Sequence, residues 1–168
     1  MTISENVADV LTNVANTETQ TGHKTTVIGV TKYVDADQAR ALVEAGITHI
    51  AENRTELFLD KQEKLSDLSI TWHLIGTLQR RKVKDVINRV DYFHALDSIK
   101  LAHEIDKRAN HVIKCFLQVN VSGEASKHGF SPDDKLCVFW QKTFSICCFK
   151  SHIDGCRTDI LILDFSFS

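Results

Sequence analysis

The chain has 168 residues, 25% of them charged and 43% hydrophobic, a balance that suits one globular domain and excludes disordered, collagen-like and low-complexity classes. Twenty Lys and Arg against twenty-two Asp and Glu leave a formal charge of −2, so no overall field points to nucleic acid or an anionic membrane as partner. No apolar stretch reaches the roughly 20 residues of a membrane span, and MTISENVADVLTNVANTETQ is too polar and acidic for a signal peptide, which makes the cytoplasm the expected compartment. Five cysteines, an odd number without framework spacing, predict no structural disulfide there.

In chain order, the first predicted element is a helix from about Ile3 to Ala15 with Val7, Val10, Leu11 and Val14 on one side. Short β-rich runs then begin at Thr25, Thr48, Ile70, Val90 and Lys114, so their starts repeat every 20 to 24 residues. Helical patterns fill the intervals. Asp35 or Asp37 can cap a helix carrying Ala39, Leu42 and Val43, and Asn53 or Thr55 one carrying Leu57, Phe58 and Leu65. Leu78, Val83, Val86, Ile87 and Val90 follow at helical spacing, and Asp97 or Ser98 precedes Ile99, Ala102, Ile105 and Ala109. Strand and helix alternating with short links predict parallel pairing and right-handed crossovers, hence a doubly wound sheet or an α/β barrel. A full (β/α)8 barrel takes roughly 200 residues or more, and five repeats are legible here.

Composition changes near Leu136. The last 32 residues hold four of the five Cys and five of the nine Phe, and they show no clean helical period. Only DILILDF reads as a strand, buried or aggregating. The chain is therefore divided into residues 1–136 and an atypical tail, 137–168.

In both architectures ligands gather where strands end. Lys32 follows VIGVT directly; partial burial there would disfavour its ammonium and ready it to attack a carbonyl carbon, whereas snorkelling from a strand end needs no function. Asn53 can bind a ligand or cap the next helix, and His73 can face a ring or phosphate or be a satisfied core residue. Gly76 suits a tight turn, and Asp97 suits a cap. The polar loop Asn120 to Gly129 can meet an anion through its amides, Ser122, Ser126 and Lys127, but lacks the arrangement of a P-loop. Arg80, Arg81, Lys82 and Lys84 form a basic cluster without interleaved aromatics, which reads as a solvated face. Cys148, His152 and Cys156 match no standard zinc spacing, so no metal is expected.

Five segments in order carry a resemblance: VIGVTKYVDADQARALVEAGITHI into AEN at Ala51 to Asn53, WHLIGTLQRRK at Trp72 to Lys82, HALDS at His94 to Ser98, and QVNVSGEASKHGF at Gln118 to Phe130. Together they cover about 110 residues and resemble the YggS/PROSC family of pyridoxal phosphate homeostasis proteins, single-domain relatives of the alanine racemase barrel. The resemblance implies a partial (β/α)8 barrel and a pyridoxal 5′-phosphate cofactor held as a Schiff base on Lys32, with Asn53, His73 and Asn120 lining the pocket. It also implies a carrier in vitamin B6 homeostasis and not an enzyme, because a second, opposing acid–base residue is required for turnover and Tyr33 and Tyr92 are the only tyrosines. The alternatives are a racemase-type enzyme and a non-functional product. Resemblance fades after Ser131 to Asp134, and the serine- and glycine-rich segment and the arginine that hold the cofactor in the family have no counterpart. A truncated or frame-shifted copy is the expectation, with lower cofactor affinity and with open edges on the first and fifth strands that invite self-association of a protein otherwise monomeric.

Overall fold

A computed structural model describes residues 2–120, 122, 124, 128–131, 147–149 and 160–164. The chain divides into two compact units, Met1–Trp72 with Asp159–Ser168, and His73–Thr158. The boundary expected at Leu136 lies outside the described residues.

The first unit opens with α1 (Ile3–Thr21), longer than its apolar pattern. Thr2 and Glu5 form a capping box at its start, and Gly22 ends it in the left-handed region at φ 72°. The extra turns are threonine-rich, and Thr12, Thr17, Thr19 and Thr21 each donate a side-chain hydroxyl to the carbonyl four residues back. Then follow β1 (Thr26–Val30), α2 (Ala36–Glu44), β2 (His49–Glu52), α3 (Thr55–Lys64) and β3 (Thr71–Leu74), the last crossing into the second unit. Asp35 caps α2 in a second capping box, as the sequence predicts. β1 pairs in parallel with β2, with Ile28 opposite His49 and Val30 opposite Ala51. Gly29 admits α2 against this pair: a Cβ there would meet Leu42 Cδ2 at 2.5 Å.

In the second unit, a broken helix follows β3. A 3₁₀ turn at Arg80–Lys82, one α-turn, α4 (Val83–Val86), and a second 3₁₀ turn at Ile87–Arg89 replace the continuous helix predicted. The apolar residues still face inward, with Val83, Val86 and Ile87 fully buried. Tightening to three residues per turn after α4 stacks positions i and i+3, which keeps Ile87 with Val90. β4 (Tyr92–Leu96), α5 (Ile99–Arg108) and β5 (Lys114–Leu117) complete the regular repeats. Ser98 caps α5 by accepting from the Leu101 amide at 3.4 Å, so Asp97 is not the cap. The register of β4 against β5 shifts between Phe93 and Leu96, a bulge at His94 and Ala95.

The open strand edges expected for a partial barrel are corrected by the structure. β7 (Ile160–Asp164) pairs in parallel with β1 along its whole length, from Thr26 opposite Ile160 to Val30 opposite Asp164. In the second unit β6 (Cys147–Phe149) pairs in parallel with β5 at Lys114 to Phe116. DILILDF thus yields a strand as predicted, whereas CCF, read as irregular, yields another. Backbone donors and acceptors left on a strand edge are satisfied by any extended segment of suitable reach.

Candidate functional site

Lys32 lies two residues beyond β1, in a turn rather than on the strand, and is half-buried. The turn is closed by the Val34 amide, which donates to the Thr31 carbonyl at 3.2 Å. Lys32 Nζ sits 4.8 Å from the centre of the Tyr33 ring, a cation–π contact with a side chain that is itself 72% exposed. Asn53 follows β2 at the same end of the paired strands, where the Thr31 amide donates to the Ala51 carbonyl at 3.0 Å. Extending the β1–β2 register by two places brings Lys32 level with Asn53. Asn53 is half-buried and does not cap α3; Arg54 holds that position, without a side-chain cap bond.

Beneath these residues is a buried charged cluster that sequence reasoning missed. Glu52 is fully buried, and its Oε1 accepts from the Thr31 hydroxyl at 2.8 Å and from Lys61 Nζ. Lys61, 4% exposed, also donates to the Thr31 carbonyl. Among the described residues Glu52 Oε2 has no hydrogen-bond partner. The available signal was positional: Lys61 lies three residues after Phe58 and four before Leu65, on the apolar stripe of α3, where a solvated lysine does not belong.

In the second unit His73 is buried on β3, and its Nδ1 lies 2.9 Å from His94 Nε2. Its ring stacks on Tyr92 with centroids 4.6 Å apart and planes 7° from parallel. Phe116 packs on His94 at 4.5 Å, and Lys114 donates to the Tyr92 hydroxyl at 3.0 Å. Burial lowers the His94 pKa from 6.5 to about 4, so the His94 ring is a neutral imidazole near pH 7. This four-ring cluster is richer than the isolated core histidine the sequence suggested.

Asn120 organises its own loop. Its Nδ2 donates to the Glu124 carbonyl at 2.9 Å, its Oδ1 accepts from the Ser122 hydroxyl, and its amide bonds the Phe130 carbonyl at 2.9 Å. Gly129 makes the return possible at φ 130°, with Gln118 O and Asn120 N each 2.9 Å from where a Cβ would stand. Ser126 and Lys127 fall outside the described residues, as do the side chains of Cys148, His152 and Cys156.

Comparison with known proteins places this arrangement. No family model matches the sequence. The chain is 40% identical over 111 residues to the pyridoxal phosphate homeostasis protein of Aquifex aeolicus, covering 64% of this chain and 49% of that one. It is 33% identical over 139 residues to the Pseudomonas aeruginosa protein of the same name, covering 79% and 60%. The structure of PipY from Synechococcus elongatus with pyridoxal phosphate bound superposes with a TM-score of 0.71 at 29% identity, over 86% of this chain and 66% of PipY. The chain is similar to pyridoxal phosphate homeostasis proteins over the part of them that it spans. An alanine racemase from Clostridium difficile shares the fold, with a TM-score of 0.63 at 16% identity. The βα repeats of this chain are accordingly those of a partial (β/α)8 barrel of the alanine racemase type. It spans roughly half to three-fifths of the length of these two curated relatives. Among the described residues no helix is long and apolar enough to cross a membrane, and no group of three His, Cys, Asp or Glu could hold a metal ion.

Proposed function

We propose that this chain binds pyridoxal 5′-phosphate, held as a Schiff base on Lys32, and serves intracellular vitamin B6 homeostasis as a carrier without catalytic turnover. The observation that carries the reading is the half-buried Lys32 amine in a turn at the carboxyl end of β1, in a chain similar to PipY with pyridoxal phosphate bound. The residues present fit the aldehyde end of such a cofactor, because an amine on a short turn and the Asn53 amide stand at one end of two paired strands.

When bound, the cofactor supplies an aldehyde carbon and an electron-withdrawing ring. Lys32 is the amine that joins it, and Tyr33 shields one side of Nζ. Asn53 is half-buried beside it and offers an amide to orient a polar group. In the second unit we assign His73 to the cofactor-binding set through its ring, fixed by His94 and Tyr92. Asn120 joins the set through the loop whose shape it holds. Nothing in this role requires a positioned proton donor, which is why no turnover is proposed.

Borohydride reduction after incubation with pyridoxal 5′-phosphate, followed by peptide mass mapping, tests the reading. One adduct at Lys32, absent from Lys32→Ala, is expected. Labelling scattered over surface lysines would overturn the cofactor reading, and formation of D-amino acids from L-amino acids would overturn the carrier reading in favour of a racemase.

A further inference from the structure

Glu52 and Lys61 form a buried ion pair on β2 and α3, directly under the turn that carries Lys32. Stability does not account for such a pair. Taking two charges out of water costs about as much as their attraction returns, and apolar side chains of equal volume serve a core as well or better. One carboxylate oxygen, Glu52 Oε2, is moreover left without a partner among the described residues, a further cost in a site with 0% exposure.

What the pair does fix is one peptide group. The Thr31 carbonyl belongs to the peptide plane that leads into Lys32, and Lys61 Nζ donates to it. The same carbonyl accepts from the Val34 amide and closes the turn with Lys32 and Tyr33 at its corners. The Thr31 amide is tied to Ala51 O, and its hydroxyl to Glu52 Oε1 at 2.8 Å. Every polar atom of Thr31 is thus anchored to β2, α3 or the turn itself, and its carbonyl and hydroxyl are joined through the Lys61–Glu52 pair. Buried charge-assisted bonds of this kind hold direction as well as distance.

We propose that Glu52 and Lys61 are positioning residues for Lys32: the buried pair clamps the Thr31 carbonyl and so sets where the Lys32 amine emerges. This role rests on the reading of Lys32 as the cofactor-bearing amine. It goes beyond that reading by assigning function to a lysine that touches no cofactor.

The test uses the full chain. Lys61→Met alone strands Glu52 in the core and confounds positioning with lost stability, so the informative variant is Glu52→Gln with Lys61→Met, which removes both charges at similar volume. Phe58→Leu, on the same helix, is the control for a general loss of core packing. Amide hydrogen exchange across residues 31–34, measured without cofactor, is expected to quicken about tenfold in the double variant relative to the control at matched thermal stability. Trapping of pyridoxal 5′-phosphate on Lys32 is expected to slow by about tenfold or more, as a displaced nucleophile would. Unchanged exchange in the double variant overturns the clamp, as does faster exchange with undiminished trapping on Lys32. If the wild-type chain is never labelled at Lys32, the cofactor reading fails separately. Exchange, together with the rate of Lys32 acetylation by acetic anhydride, then decides the clamp: a slowed or redirected acetylation supports it, and an unchanged one overturns it.

Discussion

Acidification from pH 7 to pH 4.5 should remove stability through His94 before the carboxylates begin to contribute. The folded-state pKa is lowered from 6.5 to about 4, caused by burial, so between these values the unfolded chain binds a proton that the folded chain refuses. Stability from this group is therefore fully present above about pH 6.5 and is lost as the pH falls toward 4. With those two values, linkage gives a loss of about 1 kcal/mol by pH 5.5 and about 2 kcal/mol by pH 4.5, relative to pH 7. The surroundings fit that sign: His73 Nδ1 lies 2.9 Å from the ring and Phe116 packs on it at 4.5 Å, while Tyr92, stacked on His73, carries the Lys114 ammonium at its hydroxyl. Glu18 and Asp67, whose pKa values are lowered by the Thr25 amide and by Arg40 respectively, add their own losses at lower pH. Urea unfolding at half-unit steps between pH 7 and pH 4.5, run on wild type and on His94→Gln, isolates the contribution. The glutamine variant should be nearly flat where wild type declines. Parallel curves for the two proteins would refute the assignment of the decline to His94.

Three further outcomes follow from packing and backbone geometry. Lys61→Met should lower the unfolding free energy by about 3–5 kcal/mol, because Glu52 stays buried without its cation, whereas pairing it with Glu52→Gln should recover most of that loss in the same urea titration. Gly29→Ala drives a Cβ into Leu42 and should cost about 1–3 kcal/mol in thermal unfolding, with partial recovery when Leu42→Val is added; an unchanged melting curve would mean α2 can retreat from β1. Asp35→Ala removes the capping box of α2 and should cost about 1 kcal/mol, a change that a chemical denaturation curve resolves.

The repeats were legible because each carries two signals that agree, a β-branched run and a helix at 3.6 spacing, and all five strands of the repeats fall within the runs read for them. Boundaries were harder where a competing hydrogen bond decides them. The threonines that extend α1 bond backward to its own carbonyls, and Asn53, an excellent cap by type, yields the place to Arg54. Amphipathic faces were off by one residue in two helices, since Leu57 and Ile99 are exposed while Lys61 and Leu101 are buried. The candidate site was visible as a set of strand ends, but its support was not. Lys61 and the His73–His94 contact are non-local, over |i−j| of 9 and 21, and no spacing rule links residues on separate elements before the register is known.

The pairing of β7 with β1 bears on how a strand edge chooses its neighbour. Parallel pairing is made by amides and carbonyls, which every residue except proline offers in the same pattern, so an edge recruits a neighbour by reach and extension more than by identity. The run Ile160 to Asp164 is admitted on those terms, in register with Thr26 to Val30. Fold and chemistry therefore separate along this chain: β7 extends the sheet through its backbone, while the atoms that set the position of Lys32 reside on β1, β2 and α3, where one misplaced carbonyl would be felt at its amine.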